Sequence, residues 1–287
     1  MNTVPVAVAT SAAQRDAPAG GGSLGHLAGW ELEALLARGR RSVVYLARRD
    51  GDAQSVALKI VRKSHLQGLL AGAHPMHEFA TLAALAHPHV IRPVAHGEAG
   101  DVAYLAMEHA AGGSLAQHAA AFGTAMMFTL LRQAAAALAW IHGQGWVHRD
   151  VKPANLFLRD DGTLALGDFG CACRAGNAPQ VAPGTVVGTP RYAAPEQSQG
   201  AAAHPAADVY SLGACLYELL TGEPLYPGKT LTELLGQHLM APVPRLAAEH
   251  ASWQPLLDAM LAKDPAQRLT GGQAVLLRLQ NRSRNPS

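Results

Sequence analysis

The hydrophobic period changes once along this chain, and that change restricts the folds open to it. From Trp30 to about residue 110 the apolar residues mostly alternate, as in "SVVYLARR" and "QSVALKIV", two β-branched runs separated by "DGD". One segment breaks the alternation: "MHEFATLAALA" has helical spacing through Phe79, Leu82 and Leu85 and stops at "HPH". Two further strand-like runs follow, "VIRPVAHGE" and "DVAYLAME". Beyond "AGGSL" at 111–115 the period becomes helical. "FTLLRQAAAALAWIHGQG" is apolar at Leu130, Leu131, Ala134, Leu138 and Ile141 and ends at glycines that cap it. "DVYSLGACLYELLTGE" is apolar almost all round, the pattern of a buried central helix, and helices near 230–240 and 272–281 close the chain. The implied class is α+β: a small β lobe joined to a larger helical lobe, with a ligand cleft between them.

Composition narrows the function classes. Charged residues are only 15% and the net charge is +2, so no strong field points to nucleic acid or an anionic membrane. No run is read as a membrane span, and the N-terminus "MNTVPVAVAT" carries no basic leader, so no secretory signal is expected. Cys171, Cys173 and Cys215 are too few for a disulfide framework and suit a reducing, cytoplasmic setting. The Cys171/Cys173 pair lacks the further ligands of a zinc site and is read as two small, at least partly buried residues. Residues 1–29, with "APAGGGSLG", show no period and are read as a disordered tail; 283–287 form a short C-terminal tail.

The chemistry concentrates in two stretches. In "VHRDVKPANLFL" (147–158), Pro153 forbids a helix, so Asp150 and Asn155 lie on a loop. Their spacing suits a carboxylate that orients a hydroxyl beside an amide oxygen that ligates a metal. Lys152 adds a positive charge next to a reacting phosphate. In "LALGDFGC", Asp168 follows a short strand and offers a hard oxygen ligand for Mg²⁺, while Gly170 permits a sharp turn.

With "VALK" at 56–59, these motifs resemble the protein kinase family, of the Ser/Thr, bacterial eukaryotic-like type. The order is a flap, "VALK", a helix glutamate, "HRDVKPAN", "DFG" and "APE", and the resemblance spans residues 30–282. It implies an N-lobe over 30–110, a C-lobe over 111–282, and ATP with Mg²⁺ held between them. Lys59 would hold the α- and β-phosphates, paired with Glu78, which stands nine residues before "HP". Asp150 would orient the substrate hydroxyl, while Asn155 and Asp168 hold magnesium. "MEHA" places Met107 behind the adenine and the backbone of Glu108 and Ala110 against it; Val44 and Ala57 lie in the same nucleotide site. Lys152 so close to Asp150 resembles Ser/Thr rather than tyrosine kinases, and the implied partners are protein substrates.

The same resemblance assigns supporting roles. Thr189 of "GTPRYAAPE" falls near Asp150 and Lys152, and Tyr192 in the substrate-docking turn. That leaves Thr185 as the regulatory phosphosite, drawn to Arg149 with a contribution from Arg174. Glu196 should pair with Arg268, and Asp208 should cap the catalytic loop. Kinases that select arginine carry glutamates where this chain has Ser114 and Ala154, so arginine upstream of the target residue should matter little. No sensor domain is recognised, so the input signal is expected from an unidentified partner, the tail or autophosphorylation.

The flap departs from the family pattern. In "LLARGRRSVVYLAR" (35–48), the three flap-glycine positions hold Ala37, Gly39 and Ser42, with Arg40 and Arg41 at the tip. A Cβ at two of them limits how closely the backbone approaches phosphate. The competing reading is therefore a pseudokinase scaffold with impaired nucleotide use. A small-molecule phosphotransferase would share the cleft, but "GTPRYAAPE" followed by "DVYSLG" builds a peptide-docking platform that such enzymes resemble poorly.

Overall fold

The computed structural model describes residues 24–66, 73–118, 122–177 and 186–284. Strands β1 (Gly25–Leu27), β2 (Trp30–Arg38), β3 (Ser42–Arg49) and β4 (Ser55–Arg62) come first, then helices α1 (Lys63–Leu66) and α2 (Pro75–Ala84). Strands β5 (Pro93–Ala99) and β6 (Val102–Glu108) complete an antiparallel sheet of order β1-β2-β3-β4-β6-β5. One strand was not expected. β1 falls inside the stretch read as a tail to residue 29, yet it pairs with β2, Leu27 opposite Trp30. The Ala28–Gly29 turn has positive φ at both residues, the geometry of a two-residue hairpin, and Leu27 packs against the buried Trp30 cluster.

Beyond the sheet lie α3 (Thr124–Gly143), β7 (Trp146–Val147), β8 (Leu156–Leu158), β9 (Leu164–Leu166) and β10 (Cys173–Arg174). Helices α4 (Pro195–Ser198), α5 (Pro205–Thr221), α6 (Leu231–Met240), α7 (Gln254–Met260) and α8 (Gly272–Arg284) follow, α8 running two residues past the expected boundary at 282. By length and composition α3 could cross a membrane, contrary to the sequence reading, but here its Leu130, Leu131, Ala134, Leu138 and Ile141 enter the C-lobe core. The helix α5 is buried at 13 of its 17 positions, as its all-round apolar pattern requires. It is the post around which the lobe is built.

Three apolar clusters result among the described residues, the smallest of them around Ile91, Ala110 and Ala165. Trp30, Ala47, Val56, Leu58 and Ala106 fill the outer face of the sheet. The largest cluster crosses between lobes: Leu82 of α2, Leu85 at its C-cap and Leu105 of β6 join Phe169 and the helices of the C-lobe. The helix α2 is thus packed on the same core that carries the catalytic loop.

Candidate active site

Sheet register decides which N-lobe side chains face the cleft. Directly paired residues on neighbouring strands share a face. Ala37 pairs with Val44, Val44 with Lys59, and Ala57 with Met107, so all five lie on one face, two residues apart along β4. Lys59 shows which face this is. Its Nζ bonds Glu78 Oε2 at 2.8 Å and Asp168 Oδ1 at 2.8 Å, reaching from the sheet to α2 and to the C-lobe. The sequence-predicted residues Ala37, Val44, Ala57, Lys59, Glu78, Met107 and Asp168 are therefore brought to one cleft. Ala110 lines it with Ile91 and Ala165, against which Met107 and Phe157 pack.

Electrostatics favour the charged forms of Lys59 and Asp168. Burial alone would pull the Lys59 ammonium down, but the carboxylates of Asp168 and Glu78 outweigh it and hold it above its usual value. Lys59 in turn holds Asp168 well below the usual carboxylate range. Glu78 is fully buried, which pushes its carboxyl up despite Lys59. Its second oxygen, Oε1, accepts the Phe169 amide at 3.2 Å, so one side chain fixes both Lys59 and the "DFG" turn. Asp168 adopts a left-handed backbone (φ 58°), which swings Phe169 inward, edge-on to His148 at 4.8 Å.

The catalytic loop is anchored from below. Asp208, fully buried on α5, accepts the amides of His148 and Arg149, each at 2.7 Å. His142 Nε2 also donates to it at 2.9 Å, while His142 Nδ1 accepts Gly272 N–H, which fixes the ring's proton on Nε2. Burial would raise the Asp208 carboxyl, yet His142 and His148 outweigh it and hold it below the usual value. Asp150 then presents its carboxylate. Oδ2 accepts from Lys152 Nζ (2.7 Å) and Asn155 Nδ2 (3.2 Å). Among the described residues, Oδ1 is buried and meets no donor. A buried carboxylate oxygen without a partner is costly unless a ligand hydroxyl completes it. Lys152 also bonds Thr189 Oγ at 2.8 Å, tying the loop to the peptide-docking segment.

The donor set fits magnesium. Asn155 spends its Nδ2 on Asp150, leaving its amide oxygen as the hard ligand, and the Asp168 side chain keeps 41% of its surface exposed beside it. No cluster of three or more His, Cys, Asp or Glu occurs among the described residues, so substrate phosphates would complete the coordination.

The expected Glu196–Arg268 pair is in place, with two bonds of 2.6 and 3.1 Å. Tyr192 donates to Glu218 at 2.9 Å, a contact not foreseen from the sequence. Both arginines expected to draw a phosphate already have partners. Arg174 stacks on Trp146 at 4.5 Å and donates from one Nη to the Gln144 carbonyl. Arg149 donates from its Nε to Cys171 O at 2.7 Å. Thr185 lies outside the described residues. Flap residues Ala37 and Gly39 are exposed; Ser42, half-buried, opens β3.

Of the predicted nucleotide-site residues, Glu108 spends its amide on the Arg92 carbonyl and pairs its carboxylate with Arg159 at 2.7 Å. Sequence reasoning missed Gly167 and its neighbours. Gly167 has no room for a side chain: a Cβ would stand 2.9 Å from both Ile91 and the Phe157 ring.

Comparison with known proteins agrees with this geometry. The profile of the protein kinase domain matches residues 30–278. The chain belongs to the protein kinase domain family. This kinase domain is 31% identical over 271 residues to the serine/threonine-protein kinase drp72 of Corynebacterium efficiens, covering 90% of the chain and 52% of that relative. It is 34% identical to PknJ of Mycobacterium tuberculosis, covering 85% and 43% respectively. With PknB of Mycolicibacterium smegmatis it shares 35% identity, covering 83% and 40%. The chain thus spans about half the length, or less, of these curated relatives.

Proposed function

We propose that this kinase domain transfers the γ-phosphate of ATP to serine or threonine hydroxyls of proteins in the cytoplasm, where ATP, magnesium and free thiols coexist. The observation that carries the reading is the continuous set of contacts Glu78–Lys59–Asp168, beside a catalytic loop whose Asp150 Oδ1 is buried without a donor. Lys59 positions the α- and β-phosphates, and its two carboxylates stop it from swinging away. Asp168 and the Asn155 oxygen would hold magnesium, which when bound would supply charge neutralisation on the phosphates. Asp150 Oδ1 accepts the hydrogen bond of the incoming hydroxyl and aims its oxygen in line with the phosphorus. Lys152 stands beside the transferring group and balances its charge. Its bond to Thr189 joins it to the segment that seats the protein substrate, which supports the Ser/Thr assignment. With Ser114 and Ala154 in place of carboxylates, the peptide groove offers arginine little, and an array dominated by basic motifs would contradict this.

The test is incorporation of radiolabelled phosphate with Mg²⁺, wild type against Asp150→Ala. Label in wild type and loss of about three to four orders of magnitude in the mutant are expected. Equal, background label in both would favour the pseudokinase reading. Thr185 is proposed as an autophosphorylation site whose phosphate reaches the remaining Arg149 donors. Turnover of Thr185→Ala should fall below that of phosphorylated wild type and match the dephosphorylated enzyme. Equal turnover in all three would refute it.

A further inference from the structure

Gln197, the residue after the Glu196 anchor, carries three hydrogen bonds to three different segments. Its Oε1 accepts the Ala194 amide at 2.9 Å, and its Nε2 donates to the carbonyls of Arg149 at 3.0 Å and Val187 at 3.3 Å. The first bond is ordinary: a Gln or Glu three residues into a helix commonly satisfies the amide at its N-cap. The other two are not explained by capping.

They fall on a critical peptide. Arg149 has φ 66°, a strained value for a side chain of its size, and its carbonyl belongs to the peptide bond that enters Asp150. The amide end of that peptide, Asp150 N–H, is held by His148 Nδ1 at 3.3 Å. The carbonyl end is held by Gln197 and covered by Gly188, where any Cβ would overlap the Arg149 oxygen. Together they fix the rotation of the peptide plane, and with it the direction in which Asp150 leaves the backbone. Val187 is the second carbonyl, two residues before the Thr189 that bonds Lys152. Because Glu196 is locked to Arg268, the base of Gln197 is itself immobile.

We infer that Gln197 is a positioning residue for phosphoryl transfer: its amide aims Asp150 through the Arg149–Asp150 peptide and ties that aim to the placement of the activation segment. The inference rests on the reading of Asp150 as the hydroxyl-orienting group. It demands an amide. A glutamate keeps the cap, since it still accepts from Ala194, but turns only acceptors toward two carbonyls.

The experiment compares wild type, Asp150→Ala, Gln197→Glu and Gln197→Met in steady-state kinetics with a protein substrate and in thermal unfolding. In both Gln197 variants kcat should fall about tenfold or more, equivalent to about 1.4 kcal/mol of barrier, while KM for ATP stays within about twofold. The melting temperature of Gln197→Glu should fall by a few degrees at most, because its cap survives while two carbonyls lose their donor, and the fall in kcat should persist when expressed per folded enzyme. Wild-type kcat in Gln197→Glu, or losses that vanish when kcat is expressed per folded enzyme, would overturn the inference while leaving the kinase reading intact. Wild-type activity no higher than that of Asp150→Ala would overturn both.

Discussion

The flap and the catalytic loop face each other across one cleft, yet they are held in opposite ways. The flap (β2, Gly39–Arg41, β3) is supported by its own ladder and by Gly39 N–H on the Ser42 carbonyl at 2.8 Å, with its tip in solvent. In the catalytic loop the amides of His148 and Arg149 are held by Asp208 of α5 and the Arg149 carbonyl by Gln197 of α4, while the His148 ring holds Asp150 N–H from within the loop. The flap can therefore change residue by residue, each change adjusting nucleotide cover. The loop cannot, because its groups share anchors. This difference explains how a chain with one of three flap glycines retains Lys59, Glu78, Asp150, Asn155 and Asp168 in contact or register.

The comparison breaks most visibly at Asp208. Asp208→Ala leaves two buried amides and His142 without an acceptor, at roughly 1–3 kcal/mol for each orphaned group. Turnover should fall about a hundredfold as the loop shifts, and the melting temperature by several degrees. Near-normal kcat would show that the loop is not anchored from α5. The same residue gives a pH signature. Its folded-state carboxyl lies below the ordinary 3.8, so as pH falls the unfolded chain takes up the proton first. Stability from Asp208 is present above that value and is lost as pH drops through and below it. Asp208→Asn should flatten that part of the acid-unfolding curve, and an unchanged slope would contradict the assignment.

The smaller effect lies on the flap. Restoring glycine at 37 and 42 together should raise kcat/KM for ATP about threefold by letting the backbone approach the phosphates. It should also lower stability slightly, by roughly 0.5–1 kcal/mol per strand glycine. Unchanged kinetics would mean that the hairpin does not cover the nucleotide.

The sequence was most legible where one physical rule acts locally. The change of hydrophobic period separated sheet from helices, whereas Pro153, read as forbidding a helix between Asp150 and Asn155, rules out only an α-helix: Pro153–Asn155 form a single 3-10 turn with the proline at its start, where its missing N–H costs nothing. Positions such as Lys59 and Glu78 needed the ordered motifs as well, because no local rule links residues 19 apart. What stayed hidden depends on contacts between distant backbone groups. Gln197 reads as a helix cap until the Arg149 carbonyl is placed beside it, and Arg174 reads as a free cation until Trp146 is found beneath it. The strand Gly25–Leu27 was lost because three residues are too few to show a period, although the Ala-Gly turn behind it was visible.

The bare position before Asp168 also couples sites that lie far apart in the chain. Phe157 and Ile91 both fill the volume that a side chain at 167 would need, so alanine, serine or threonine enters there only if both neighbours give way. Positions 91, 157 and 167 therefore have to be varied together, and a library that varies 167 alone will return few folded members.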